Sequence, residues 1–257
     1  VNGVYRMDSL PPAPESHAFS TGFPVMDDHY KVRLGDFVVV TGIPSHGKST
    51  FVNDLCCRLI ERYGWTAAFA SFEQHPAIDH KRNLTKWRTG KHPAYLTAEE
   101  RKTSGAWINN HFVFIMPDED DDVSLDWVLE KASAAVIRHN AKIVVIDPWN
   151  EMDHLFPPDM SLTQYTGFAI KQFRKFARKH NVHLIIVAHP TKLKKNGDGK
   201  LDVPDGYDIS DSAHWYNKAD VGITVHRNGQ DSIIRIWKSR YHDIIGKPGD
   251  VQARFNS

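Results

Sequence analysis

Thr41–Thr50 reads TGIPSHGKST, and from Gly42 to Ser49 it follows the spacing G-x-x-x-x-G-K-S directly after the apolar run Phe37–Val40. The run has the length and composition of a buried strand, and Ser49–Tyr63 has helical periodicity. The motif therefore sits in the strand-loop-helix setting that a phosphate-binding loop requires. Gly42 and Gly47 let the backbone turn so that consecutive N–H groups converge on phosphate oxygens, and the helix that follows adds the positive end of its dipole. The expected cradle is Gly42, Pro44, Ser45, His46, Gly47, Lys48, Ser49 and Thr50, with the Lys48 ammonium on the β and γ phosphates and the Ser49 hydroxyl on a magnesium ion. The cofactors expected are ATP, or another nucleoside triphosphate, and Mg2+.

Working outward, 257 residues suit one large α/β domain, and a formal net charge of +1 neither implies nor excludes a nucleic-acid partner. The two cysteines, Cys56 and Cys57, are adjacent and show no metal-binding spacing, which points to a reducing, intracellular setting. No apolar run is long enough to span a bilayer, so no membrane partner is expected. Residues 1–19, with the Pro-rich Leu10–Pro14, read as a linker remnant of a longer protein, and residues 20–257 as the domain proper.

Apolar runs recur at Thr66–Phe72, Lys142–Ile146 and Val182–Ala188, separated by helix-compatible stretches at Pro76–Asn110, Ser124–His139 and Thr163–His180. Asp118–Asp122 is an acidic turn, read as a helix N-terminal charge cluster in preference to a metal site. Strands alternating with helices predict a mainly parallel central sheet covered on both faces. Asp220–His226 and Asp231–Trp237, around Asn228-Gly229, predict a C-terminal β-hairpin.

Ligands of such sheets bind beyond the carboxyl ends of the strands. Three polar residues stand at those ends. Asp147 suits a magnesium-holding carboxylate, Glu73 a base that polarises the attacking water, and His189 a hydrogen-bond donor to the γ phosphate. Beyond His189, the segment Pro190–Gly206 carries Lys192, Lys194, Lys195 and Lys200 among turn residues, a basic loop suited to a nucleic-acid backbone or simply to solvent. Lys238 and Arg240, at alternate positions after the hairpin, point to one side with no obvious acid partner in their own chain. They are candidates for reaching a nucleotide held by a neighbouring subunit.

The order of these pieces resembles the RecA-like, P-loop motor domain of DnaB-type replicative helicases, particularly the Twinkle and phage primase-helicase branch, over nearly the whole chain from Ser20. The resemblance rests on STGFPVMDD, VRLGDFVVVTG, the phosphate loop, SFE, VVIDPW, VAHP, DISDSAHWYNKADVGITVHRN and IRIWKSR. It implies Glu73 as catalytic base, Lys48 and Ser49 on phosphate and magnesium, Asp147 on magnesium, His189 as γ-phosphate sensor and Arg240 as a finger acting in trans beside Lys238. Bacterial members carry Gln where His189 stands, which favours the mitochondrial and phage branch. The resemblance further implies head-to-tail self-association into a hexameric ring, single-stranded DNA in its channel touching the Lys-rich loop and Asp208–Asn217, and movement from 5′ to 3′. It places the protein in bacterial or phage-infected cytoplasm or in the mitochondrial matrix. A recombinase-like, filament-forming DNA-dependent ATPase and a nucleotide-switched assembly module are the alternatives. Recombinases resemble Lys-x-Lys where this chain has Lys238 and Arg240, and a pure switch does not need Glu73, Asp147 and Arg240 together.

Overall fold

The structure is a computed structural model, and it describes residues 3–10, 17–191, 193, 195, 197, 201–209 and 213–254. The chain opens with a two-stranded antiparallel ribbon, β1 (Ala18–Phe19) and β2 (Val32–Arg33). It then runs through β3 (Phe37–Thr41), α1 (Lys48–Tyr63), β4 (Thr66–Ser71), α2 (Lys81–Thr89), α3 (Ala98–His111) and β5 (Phe112–Ile115). The second half comprises α4 (Leu125–His139), β6 (Ala141–Asp147), α5 (Leu162–His180), β7 (His183–Val187), α6 (His214–Lys218), β8 (Val221–Asn228), β9 (Asp231–Ser239), α7 (His242–Ile245) and β10 (Gly249–Arg254).

The main sheet has eight strands in the order β10-β9-β8-β3-β7-β6-β4-β5. The six strands from β8 to β5 are parallel, and β9 and β10 extend the sheet antiparallel. Val38, Val40, Ile143 and Ile185 face a core that α1, α2 and α3 cover. Their neighbours Val39, Val144 and Ile186 face a second core under α4, α5 and α6. Burial on both faces explains why these strands read as unbroken apolar runs.

The expected mainly parallel sheet, helices on both faces and C-terminal hairpin are all present, with three local differences. Asn228 pairs with Asp231, so the hairpin turn is Gly229-Gln230, with Gly229 supplying the positive φ of +65°. β10 adds a strand beyond the hairpin. The acidic turn is not a helix N-terminal cluster: Ser124 caps α4 by accepting from the Trp127 N–H, and of the acids in this region Asp126 alone lies in the first turn. Asp118–Asp122 are exposed in the preceding loop, where no described residue forms an ion pair with them.

Candidate active site

The phosphate loop leaves β3 at the carboxyl edge of the parallel strands, and α1 begins at Lys48. Gly47, at φ +96°, precedes the helix, and Ser45 takes φ +64° without being glycine. Gly42, at φ +145°, has an additional constraint: a Cβ there would come within 2.2 Å of the Val225 carbonyl oxygen on β8. The His46 ring accepts from the Arg227 N–H at 3.0 Å and stands edge-on to His226, so β8 braces the loop from the side.

Lys48 is buried, and its Nζ donates to the Gly42 and Ile43 carbonyls at 2.9 and 3.2 Å. Desolvation lowers its pKa, while Asp147 and Glu73 oppose that shift. Asp147 ends β6 almost fully buried. Desolvation pushes its pKa up to about 6 against the pull of a hydrogen bond from Ser49 and the charge of Lys48. A hydroxyl and a carboxylate facing one another are hard oxygen donors of the kind Mg2+ accepts, the remaining positions belonging to phosphate and water. The buried charge on Asp147 lacks a full counter-charge, so Ser49 and Asp147 fit the metal. Among the described residues no cluster of three or more His, Cys, Asp or Glu would hold an ion without such extra ligands.

Glu73 follows β4, and its Oε1 lies 3.9 Å from His189 Nε2. Burial and the nearby Lys48 lower the His189 pKa against the pull of Glu151, which favours the neutral imidazole. Asn150, which carries no signal in the sequence pattern, accepts the His189 backbone N–H at 2.8 Å and ties the loop after β6 to the end of β7. The strand ends thus bring Lys48, Ser49, Glu73, Asp147 and His189 together. Two grooves flank them. One of about 640 Å³ opens beside Gly47 and Thr50, with Trp87, Arg227 and Arg254 on its walls. Another of about 460 Å³ lies between Ile43 and His46 and the segment Leu201–Val203.

That segment belongs to the basic loop. Its stem is closed by the Thr191 N–H donating to the Asp208 carbonyl and by the bridge between Lys195 and Leu201. Lys195 is exposed. Lys192, Lys194 and Lys200 lie outside the described residues, as does part of Asp208–Asn217.

Lys238 and Arg240 are at the opposite edge of the sheet. Ser239 pairs with Val221, the first residue of β8, and Asp220 accepts the N–H of Phe37, the first residue of β3. Arg240 therefore stands level with the start of β3, whereas the phosphate loop leaves its end, ~13 Å further along at about 3.3 Å per residue. The two cations share a side, both donating to the Asn217 carbonyl. The expectation that neither has an acid partner in its own chain is wrong for Arg240, whose Nε is 3.1 Å from Asp220 Oδ1. The two residues are far apart in sequence, and the β8–β9 register joins them. Lys238, which also donates to the Tyr216 carbonyl, is brought down to about 8 by desolvation and by Arg240.

The AAA domain family matches residues 24–195, two thirds of the chain and the stretch that holds the phosphate loop, Glu73, Asp147 and His189. The chain belongs to that family. It is similar to a Twinkle homolog protein, chloroplastic/mitochondrial, of Arabidopsis thaliana, at 37% identity over 250 residues. That match takes in 91% of this chain but 35% of the relative, so the chain spans about a third of the length of the relative. Among solved structures it superposes on an isolated ATPase domain, with TM-score 0.68 and 17% identity, covering 86% of this chain and 81% of the other. A DnaB-like replicative helicase, in a structure describing its interactions with primase, gives the same score and identity over 86% of this chain and 57% of that one. The AAA domain chain thus has the RecA-like P-loop fold of DnaB-type motor domains. No helix among its described residues is long and apolar enough to cross a membrane.

Proposed function

We propose that this AAA domain is the motor of a DNA helicase, in which nucleoside triphosphate hydrolysis between subunits drives movement along single-stranded DNA and separation of the duplex. The observation that carries the reading is the division of one chemistry between two sheet edges: Lys48, Ser49, Glu73, Asp147 and His189 converge at one, and Arg240 stands at the other. A chain cannot deliver its own Arg240 to its own phosphate loop without unfolding β8 and β9. Head-to-tail contact supplies the missing cation from the next copy. The resemblance to the DnaB and Twinkle families supports a hexameric ring, ATP as nucleotide, single-stranded DNA in the channel and 5′ to 3′ movement.

In this reading Lys48 and the loop N–H groups hold the β and γ phosphates. Ser49 and Asp147 hold Mg2+, which neutralises phosphate charge when bound. Glu73 accepts the proton of the attacking water, and its open position leaves room for that water. His189, neutral and anchored by Asn150, donates to the γ phosphate and releases it when the phosphate departs. The Pro190–Asp208 loop starts at His189, so the release is transmitted to Lys192, Lys194, Lys195 and Lys200 on the DNA.

The test measures hydrolysis against protein concentration with and without single-stranded DNA, followed by strand separation on forked DNA with either a 5′ or a 3′ tail. The expected results are superlinear dependence on concentration, stimulation by DNA, and unwinding that requires the 5′ tail. Turnover that is linear in concentration and indifferent to DNA would instead identify a nucleotide-switched module.

A further inference from the structure

The edge that carries Arg240 also carries a cleft of about 750 Å³ lined by Lys171, Arg174, Lys175, Arg178, Lys179 and Lys218, with Gln172 between them. The α5 cations fall at i, i+3/i+4 and i+7/i+8 and so form a stripe on one helix face. Their one close acid among the described residues is Asp220, which is buried and already shared: Arg174, Arg178 and Arg240 approach its Oδ1 at 3.4, 3.9 and 3.1 Å. Arg174 Nε is buried with no acceptor among the described residues, and among those residues the exposed Lys171, Lys175 and Lys179 have no ion-pair partner. The cleft thus has a surplus of positive charge that these residues do not neutralise.

Arg174, Arg178 and Arg240 share one carboxylate, so the cleft and the finger are parts of one surface. If Arg240 meets another copy, the cleft meets that same copy. The sheet order indicates which part it meets. Arg240 follows β9, two strands from β3, so placing it above a neighbour's phosphate loop displaces the two sheets by ~10 Å at about 4.8 Å per strand. With the two sheets kept roughly aligned, the same displacement carries α5, which packs on β3 and β7, above the neighbour's β6 and β4. There the neighbour presents Asp118–Asp122, whose loop is tied to the end of β6 by the Val123 N–H donating to Asp153 at 2.7 Å.

We infer that the basic cleft of one copy seats the acidic turn Asp118–Asp122 of the next, an electrostatic latch between successive subunits. The latch rests on the proposed trans placement of Arg240 but has a separate readout, assembly. Its parts face the same way, because α5 and the loop leading into α4 both cover the second core. Complementary charge of this kind fixes register and speeds encounter, and salt screens it.

The test is a charge exchange on exposed positions, followed by sedimentation over a range of concentrations. Reversal of the cleft by Lys171→Glu with Lys175→Glu, or of the turn by Glu119→Lys with Asp120→Lys, is expected to raise the concentration for half-assembly by roughly tenfold or more. Mixing the two variants pairs each altered cleft with an altered turn and each intact turn with an intact cleft around an alternating assembly, so assembly returns. Both variants assembling like the parent chain, or mixing giving no recovery, would overturn the latch. Weakened DNA affinity in the cleft variant with unchanged assembly would assign the cleft to nucleic acid instead. Restored assembly in which Arg240→Ala still hydrolyses normally would leave the latch standing and remove the trans-finger reading.

Discussion

On the proposed reading, the two edges of the parallel sheet carry opposite halves of one chemistry. At the carboxyl edge, each candidate side chain ends or closely follows a strand or starts a helix, and parallel pairing sets Glu73, Asp147 and His189 beside Lys48, with the Asn150 side chain accepting the His189 N–H. At the amino edge, cations crowd round the buried Asp220, and Arg240 is held there by the β8–β9 register, by its N–H donating to the Asp220 carbonyl and by its side chain on the Asp220 carboxylate. The first edge is organised for a ligand that arrives from solvent. The second, on the proposed reading, is held for a partner, with Arg240 resting on Asp220 until a phosphate replaces that acid.

The sharpest way to break this contrast is to disable each edge separately and then combine the products. Glu73→Gln and Arg240→Ala are each expected to lower turnover by about 10²-fold or more, the scale of a general base or an arginine finger. A mixture of the two should recover activity, because a subunit with intact Glu73 can face one with intact Arg240 at roughly one interface in four of a randomly mixed head-to-tail assembly. Steady-state hydrolysis across mixing ratios reads this directly. A mixture as inactive as its components would place both residues in the same subunit's chemistry, and the edges would no longer be complementary.

The carboxyl edge is far more legible in the sequence than the amino edge, for a physical reason. A polar residue ending an apolar run is a local signal, and parallel pairing turns that signal into position. The pair Arg240–Asp220 has no local signal, since it depends on β9 returning beside β8 in a register that places Ser239 opposite Val221. The same dependence hides Asn150, whose role appears when the loop after β6 meets His189. It also hides the close passage of Val225 at Gly42, which demands glycine there independently of phosphate. β10 leaves little trace because only Val251 in GDVQAR is large, apolar and buried. The acidic turn misleads because charge near a helix start resembles dipole compensation, while Ser124 and the Trp127 N–H set the real start one turn later.

A smaller effect tests how much the buried carboxylate at the carboxyl edge costs the fold. The Asp147 carboxyl is up at about 6 against the ordinary 3.8, so the folded protein holds this proton more tightly than the unfolded chain does. The cost to folding is therefore fully present above about pH 6 and vanishes below about pH 3.8. Asp147→Asn should raise the stability of the magnesium-free protein by about 3 kcal/mol at pH 8, with the gain fading on acidification. Denaturant unfolding at pH 8 and pH 4 measures it. The same variant should lose the stabilisation that Mg2+ with nucleotide gives the parent chain. A variant less stable at pH 8 would show that the Ser49 hydrogen bond outweighs the burial of the charge.

The smallest effect separates the two basic surfaces from one another. The Lys-rich loop springs from the carboxyl edge beside the phosphate loop, and the α5 cleft lies at the amino edge, so on this reading they answer to different partners. Replacing Lys192, Lys194 and Lys195 with Ala should lower the slope of log affinity for single-stranded DNA against log salt by about 0.7 for each phosphate no longer neutralised. The cleft variant Lys171→Glu with Lys175→Glu should leave that slope unchanged once protein concentration is high enough to restore assembly. Fluorescence anisotropy over a salt series reads both. If the loop variant keeps the parent slope, the loop lysines are solvated charges and the DNA path lies elsewhere. If the cleft variant flattens it as well, DNA crosses both edges, and the division between a ligand edge and a partner edge fails at the place where it predicts most.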